Sequence, residues 1–309
     1  MDASSYRTRG VTLRAHPDFL VIGAMKSATT TLHVQLARQP GLSMSPVKEP
    51  NFFSDDENYE KGFAWYEGLF LDAAQGSIRG ESSTHYTKLP TYPRTVDRIA
   101  DALPGVKLVY VMRHPVDRLV SQYVHERTVG RTADGLHEAI DGVPELIEYG
   151  LYSMQLRPYL ETFGPRNVLP VFFARLVSHP QQELERICAF LGYGGRPCWD
   201  HTLKPLNVGS ERLRRSALRD ALVTAPVLTP LRQKLVPKPW TEPLKALWRA
   251  NTERPKLSRN LERRLRDEFD PDLERLGSWL GIALNCANFH EKTETRAWEW
   301  ADPRRTDWA

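Results

Sequence analysis

Apolar residues along this chain fall into two alternating patterns, short continuous runs and helical stripes, and the alternation predicts a parallel sheet with helices on its faces. Phe19-Leu20-Val21-Ile22 is a continuous run ending at a glycine turn, as a buried parallel strand does. Thr30 to Arg38 then reads as a helix stopped by Gln39-Pro40-Gly41, and residues 41 to 61 show no period and read as a loop. Phe63, Tyr66 and Phe70 mark a short amphipathic helix, Ser77 to Ser82 a modest strand, and Val96, Ile99 and Leu103 another helix. The apolar segment Val106 to Met112 predicts a central strand that passes through Arg113-His114 into Pro115, a residue preorganised for a first helical position. Val116, Leu119, Val120, Tyr123 and Val124 follow at helical spacing. Tyr152 to Phe163 predicts a helix, Val168 to Phe173 a strand, and Pro180 to Leu191 a helix closed by Gly192.

The rhythm stops near residue 192. His201 to Arg219 is polar and basic, and Pro226, Pro230, Pro237, Pro239 and Pro243 punctuate a stretch that reads as a lid or insert around 220–250. Leu261, Leu265 and Phe269, then Leu273, Leu276 and Leu280 beyond Asp270-Pro271, predict a pair of long helices. From Ala287 the chain is polar with three tryptophans and reads as a poorly ordered tail. The expected organisation is a flexible segment over 1–17, one α/β domain over 18–285 and a tail over 286–309.

Composition narrows the class. A chain of 309 residues, 41% hydrophobic and 26% charged, suits one large α/β domain. The net charge is +4, but basic and acidic residues are interspersed, so no nucleic-acid partner is expected. Cys188, Cys198 and Cys286 share no CxxC spacing, which points to neither a disulfide framework nor a zinc site and to a reducing compartment. The first eighteen residues carry no apolar leader and no later run nears about twenty apolar residues, so a cytoplasmic protein without an integral membrane segment is expected.

Candidate chemistry sits at two strand ends. Gly23-Ala24-Met25-Lys26-Ser27-Ala28-Thr29-Thr30 lies between a strand and a helix, where backbone N–H groups and the helix dipole favour an anion. A Walker loop would place Gly at Ala28 and Lys at Thr29, and here the lysine comes early, at Lys26. The plain alternative is an ordinary βα turn with a surface lysine. At the end of the Val106 to Met112 strand an NTPase needs an acid for Mg²⁺, whereas this chain has Arg113, a cation suited to a phosphate held without metal. Ser121 comes eight residues later, and whether it joins Arg113 on one phosphate depends on packing.

Four segments together resemble the sulfotransferase family, and within it the glycan O- and N-sulfotransferases and their bacterial relatives, over roughly residues 18 to 283. They are Ile22 to Leu32; Lys48-Glu49-Pro50-Asn51-Phe52-Phe53 with Tyr59 to Tyr66; Gly80-Glu81-Ser82-Ser83-Thr84-His85-Tyr86; and Val111 to Arg118 leading to Ser121. The resemblance implies a P-loop-like three-layer α/β fold, a central parallel sheet with helices on both faces. It also implies 3′-phosphoadenosine 5′-phosphosulfate as donor, no metal, and a glycan or small-molecule acceptor hydroxyl. By the same resemblance Lys26, Ser27, Ala28, Thr29, Thr30 and Thr31 hold the 5′-phosphosulfate, with Lys26 also neutralising the leaving oxygen. Arg113 and Ser121 hold the 3′-phosphate, and Glu49 is the base. His33, His85 and His114 are the alternative bases, with His114 expected to be structural. A basic glycine-containing loop that closes over the nucleotide is expected at Asn207-Val208-Gly209-Ser210 with Arg212, Arg214 and Arg215, or else at Asn251 to Arg254. Glycan relatives carry Lys and Pro where this chain has Ser82 and His85, which removes a contact to anionic polysaccharide. The competing readings are a P-loop small-molecule kinase needing Mg²⁺ and ATP, and a nucleotide-binding module without turnover.

Overall fold

The strands form where continuous apolar runs can be covered on both sides. In the computed structural model β1 (Phe19–Gly23), β2 (Leu42–Met44), β3 (Ile78–Ser82), β4 (Lys107–Met112) and β5 (Val168–Phe172) build one sheet in the order β2-β3-β1-β4-β5. Every adjacent pair is parallel. The structure describes residues 16–132, 135–203, 255–302, 304–305 and 308; the expected lid, with Ser210 and its neighbouring arginines, and the Asn251 to Arg254 alternative lie outside them.

Side chains alternate across each strand, and the two faces bury separate cores. Leu20, Ile22, Leu108, Tyr110 and Met112 pack with α4 (Thr95–Ala102), α5 (Pro115–Thr128), α8 (Tyr152–Phe163) and α11 (Arg259–Leu280). Phe19, Val21, Val109 and Val111 pack instead with α1 (Thr29–Ala37) and α10 (Pro180–Leu191). The three-layer α/β fold expected from the sequence is therefore present.

Four expectations are corrected. Residues 41 to 61 are not all loop, because β2 and α2 (Asp56–Tyr59) lie within them. Between Leu136 and Ser178 the chain adds α6 (Leu136–Gly142), α7 (Glu145–Glu148) and α9 (Phe173–Ser178), with Phe173 in the last of these and not in the strand. The predicted pair of late helices is one helix, α11, with Pro271 inside it. Proline removes one N–H and crowds the preceding turn, but Leu261, Leu265, Phe269, Leu273, Leu276 and Leu280 on both sides of it enter the same core. The described residues of the tail are packed as well: α12 (Phe289–Glu294) supplies Phe289, and Trp298, Trp300 and Trp308 are buried in that core.

Candidate functional site

The chain runs outward from β1 to β2, returns through β3 beside β1, and places β4 on the other side of β1. In such sheets the crevice at the strand C-termini, where the order reverses, is the place for a ligand. Gly23 ends β1 and Arg113 follows β4, its immediate neighbour.

Gly23 is required where it stands. A Cβ there would meet Thr87 Oγ1 at 2.0 Å and Tyr110 Cε2 at 2.9 Å, and the same Thr87 hydroxyl donates to the Ile22 carbonyl at 2.7 Å. The turn that follows carries two left-handed residues, Lys26 (φ 68) and Ala28 (φ 63), and Ala28 is the cap residue of α1. Left-handed residues alternating with right-handed ones curl the backbone into a concavity lined by N–H groups. The Ser27 hydroxyl inside this turn is buried and has no hydrogen-bond partner among the described residues.

Arg113 is brought onto the turn. Its Nη1 donates to the Lys26 carbonyl at 3.1 Å, and its guanidinium lies 4.7 Å from the Phe173 ring centroid. Its backbone N–H donates to Tyr152 Oη at 3.1 Å, while the Tyr152 hydroxyl donates to the Arg113 carbonyl. Thr29, Thr30 and Thr31 form the first turn of α1. Ser121 is half-buried within α5, and none of the hydrogen bonds among the described residues joins it to Arg113 or the turn.

Glu49 sits in a second left-handed turn, at φ 61, with Asn51 at φ 50. The end of β3 holds it: Glu49 N–H donates to the Ser82 carbonyl at 3.0 Å, and Thr84 Oγ1 donates to Glu49 Oε1 at 3.3 Å. Lys48 Nζ donates to the same oxygen at 2.7 Å. Burial alone would push the Glu49 carboxyl up, but the charge and hydrogen bond of Lys48, with Lys88 and His85 adding to them, hold it below its ordinary range.

The three histidines separate. His33, on α1, bonds Ser82 Oγ through Nδ1 at 3.0 Å, and burial chiefly, with Lys48 adding and Glu49 opposing, lowers its pKa to about 4. His85 Nδ1 is 3.0 Å from Asp55 Oδ1, and its ring stacks on Tyr92. Burial and Lys88 lower its pKa against the pull of Asp55. His114 is the residue before the first turn of α5; its Nε2–H donates to the Cys286 carbonyl at 3.0 Å, and its ring stacks on His290. With Asp117 these two histidines have metal-ligand spacing, but the cluster lies at the N-terminus of α5 beside Arg113, where helix dipole and guanidinium disfavour a cation.

Two neighbours of Glu49 carried no periodic signal. Lys88 is buried to 9% exposure, which lowers its ammonium to about 8 against the opposing charge of Glu49. Glu81 is fully buried on β3; a lone acid between Gly80 and Ser82 in a strand is the sequence signal that could have marked it.

A phosphate-type turn at the switch point of a parallel sheet, with an arginine on the neighbouring strand end, defines a P-loop-like α/β protein. Residues 51–196 match the sulfotransferase family, a span that takes in Asn51-Phe52-Phe53, the Glu81 segment and Arg113 to Ser121, and with the relatives that follow it bears out the resemblance. The chain is 33% identical over 190 residues to heparan sulfate glucosamine 3-O-sulfotransferase 6 of Mus musculus, covering 58% of this chain and 53% of that protein. It is 30% identical over 197 residues to the bifunctional heparan sulfate N-deacetylase/N-sulfotransferase 2 of Homo sapiens, covering 57% and 22%. The chain thus spans about half the length of the 3-O-sulfotransferase it matches. Among solved structures a sulfotransferase from Alicyclobacillus acidocaldarius is similar, with 28% identity, a TM-score of 0.53, and coverage of 71% of this chain and 96% of that one. No helix among the described residues is long and apolar enough to cross a membrane.

Proposed function

We propose that this protein transfers the sulfuryl group of 3′-phosphoadenosine 5′-phosphosulfate to an acceptor hydroxyl on a glycan or small molecule. The observation that carries the reading is the Arg113 bond to the Lys26 carbonyl, which joins two cationic residues at adjacent strand ends and puts an arginine where an NTPase carries its Mg²⁺-binding acid. In this reading the turn from Lys26 to Thr31, with the Ser27 hydroxyl, receives the 5′-phosphosulfate, and Arg113 and Ser121 receive the 3′-phosphate. Glu49 takes the proton of the acceptor hydroxyl as its oxygen bonds sulfur. The bond from sulfur to the 5′-phosphate oxygen breaks, and Lys26 offsets the charge on that leaving oxygen. The depressed Glu49 carboxyl is ionised at neutral pH, as a group that accepts that proton must be.

Calorimetry with 3′-phosphoadenosine 5′-phosphate in EDTA tests the nucleotide half. Metal-independent binding is expected, weakened roughly ten- to a hundredfold by Arg113→Ala, as the loss of about 1.5–3 kcal/mol in a charge-assisted hydrogen bond requires. Tighter, Mg²⁺-dependent binding of ATP would establish the kinase reading instead. Mass spectrometry of acceptor panels incubated with donor then looks for an added sulfuryl mass, and nucleotide binding with no product on any acceptor would leave a binding module.

A further inference from the structure

The buried carboxylate of Glu81 has no part in the chemistry above, yet its hydrogen bonds lead to the turn that carries Glu49. Oε1 accepts from the Tyr86 hydroxyl at 2.6 Å and the Tyr66 hydroxyl at 3.2 Å. Oε2 accepts from Ser83 Oγ at 2.8 Å. Ser83 is itself fully buried, and with its proton given to Glu81 it presents a lone pair to the Asn51 N–H at 3.1 Å. That N–H lies two residues beyond Glu49, across Pro50, which has none of its own.

A hydroxyl rotates, so which way it points is decided by the stronger acceptor beside it. An ionised Glu81 accepts only, and therefore fixes the Ser83 proton away from Asn51. The Glu49 and Asn51 backbones are both left-handed, a conformation that residues other than glycine keep only where their surroundings impose it. Three bonds from the end of β3 impose it here: Ser82 O to Glu49 N, Ser83 Oγ to Asn51 N, and Thr84 Oγ1 to the Glu49 carboxylate. The Ser83 bond alone among them depends on a further residue for its direction.

We propose that Glu81, acting through the Ser83 hydroxyl, is a positioning residue that holds the Glu49–Asn51 turn in the shape that presents the Glu49 carboxylate. The proposal rests on the reading of Glu49 as the base. Its consequence is a link between turnover and the charge of Glu81. The groups facing this carboxyl are Tyr66 from α3 (Phe63–Gly68), Ser83 and Tyr86 from the turn after β3, and Lys48 from the Glu49 loop. Burial raises its pKa to about 7 despite the opposing pull of the three hydroxyls and Lys48. Once protonated, Glu81 has a proton to donate, and a donation to Ser83 reverses that hydroxyl toward the Asn51 N–H. Turnover therefore rises with pH through about 7, although Glu49 itself is ionised well below that.

The pH profile of kcat in the unmodified protein, with acceptor and donor saturating, is the first measurement. A limb near pH 7 is expected, and a flat profile between pH 6 and 8 overturns the proposal whatever the variants do. Glu81→Gln should abolish the limb, because nothing titrates there, while its unfolding temperature stays close to that of the parent. Ser83→Ala should lower kcat roughly ten- to a hundredfold, the scale of a misplaced catalytic group, with donor KM unchanged. Unaltered kcat and an unaltered limb in both variants, with Glu49→Gln down by about 10² to 10⁴, would sink the relay and leave the base assignment standing. Normal turnover by Glu49→Gln would remove the base and the relay together.

Discussion

At the scale of single residues, two buried groups on either side of β3 oppose one another in their response to pH. His33, 8% exposed, stays neutral in the folded chain until about pH 4, whereas in the unfolded chain it takes up a proton below about 6.5. Stability from this group is therefore lost as pH falls from about 6.5 to 4. Glu81 behaves in the opposite sense, because the unfolded carboxyl ionises above about 4.5 and the folded one at about 7; its contribution is lost as pH rises through that window. Between about pH 4.5 and 6.5 the two slopes offset each other. His33→Gln, which retains a donor for Ser82 Oγ, should remove one of them. Urea unfolding at pH 5 and 6.5 should show the parent gaining up to about 2 kcal/mol relative to the variant as pH rises, and a pH-independent difference would show that His33 is not buried neutral. The same shift bears on the reaction: a His33 base would give a limb near 4, and His85 is lowered too, so a limb near 7 points away from either histidine, and its loss in Glu81→Gln separates Glu81 from Lys88, held at about 8.

At the scale of elements, what was legible followed from period and length. β1, β4, α5, α8 and α10 carry enough apolar positions for a run or a stripe to register, and the sequence places all but the end of α5, which runs four residues past Val124, within a residue or two of the observed bounds. β2 has three residues and α2 four, too few for either period, and both exist because the sheet and the Asp56 ion pair with Arg98 hold them. The split expected at Pro271 failed because local propensity yields to packing, and the residue after that proline does additional work on a neighbour. Asp272, nearly buried, accepts from the N–H groups of Ser153 at 2.9 Å and Met154 at 3.1 Å and from the Ser153 hydroxyl. It supplies α8 with a cap from another helix, in place of Leu151, whose side chain has no acceptor. Asp272→Ala should cost about 2–3 kcal/mol in urea unfolding, since two first-turn N–H groups lose their partner in a buried setting. Asp272→Asn should recover part of it, and a loss under about 0.5 kcal/mol for the alanine variant would mean the cap is dispensable.

At the scale of the whole molecule, the halves of the candidate site were legible as motifs, but their closeness was not, because the Arg113 contact with Lys26 joins neighbouring strand ends 87 residues apart in the chain and no spacing encodes it. The last segment was misjudged for a similar reason: its tryptophans have no period, and their partners lie far away in sequence. Trp300 Nε1 donates to the Val168 carbonyl at the start of β5 at 2.7 Å. Trp308 meets Trp279 and Trp300 edge to face, with centroids 5.4 and 5.9 Å apart. Arg175 and Arg186, both paired to the fully buried Glu183, reach out to the Thr295 and Trp298 carbonyls at 3.1 and 3.3 Å. The chain from Cys286 on therefore packs along β5, the edge strand of the sheet, and His114, next to Arg113, is bonded to it through the Cys286 carbonyl. Trp308→Ala should lower stability by about 3–5 kcal/mol, the cost of emptying a buried aromatic site. Removal of residues 287–309 should leave α11 and β5 uncovered and yield little folded protein. Thermal unfolding and calorimetry with the nucleotide product read both effects together. A truncated chain that unfolds at the parent temperature and binds 3′-phosphoadenosine 5′-phosphate as tightly would show that this segment is an appendage after all.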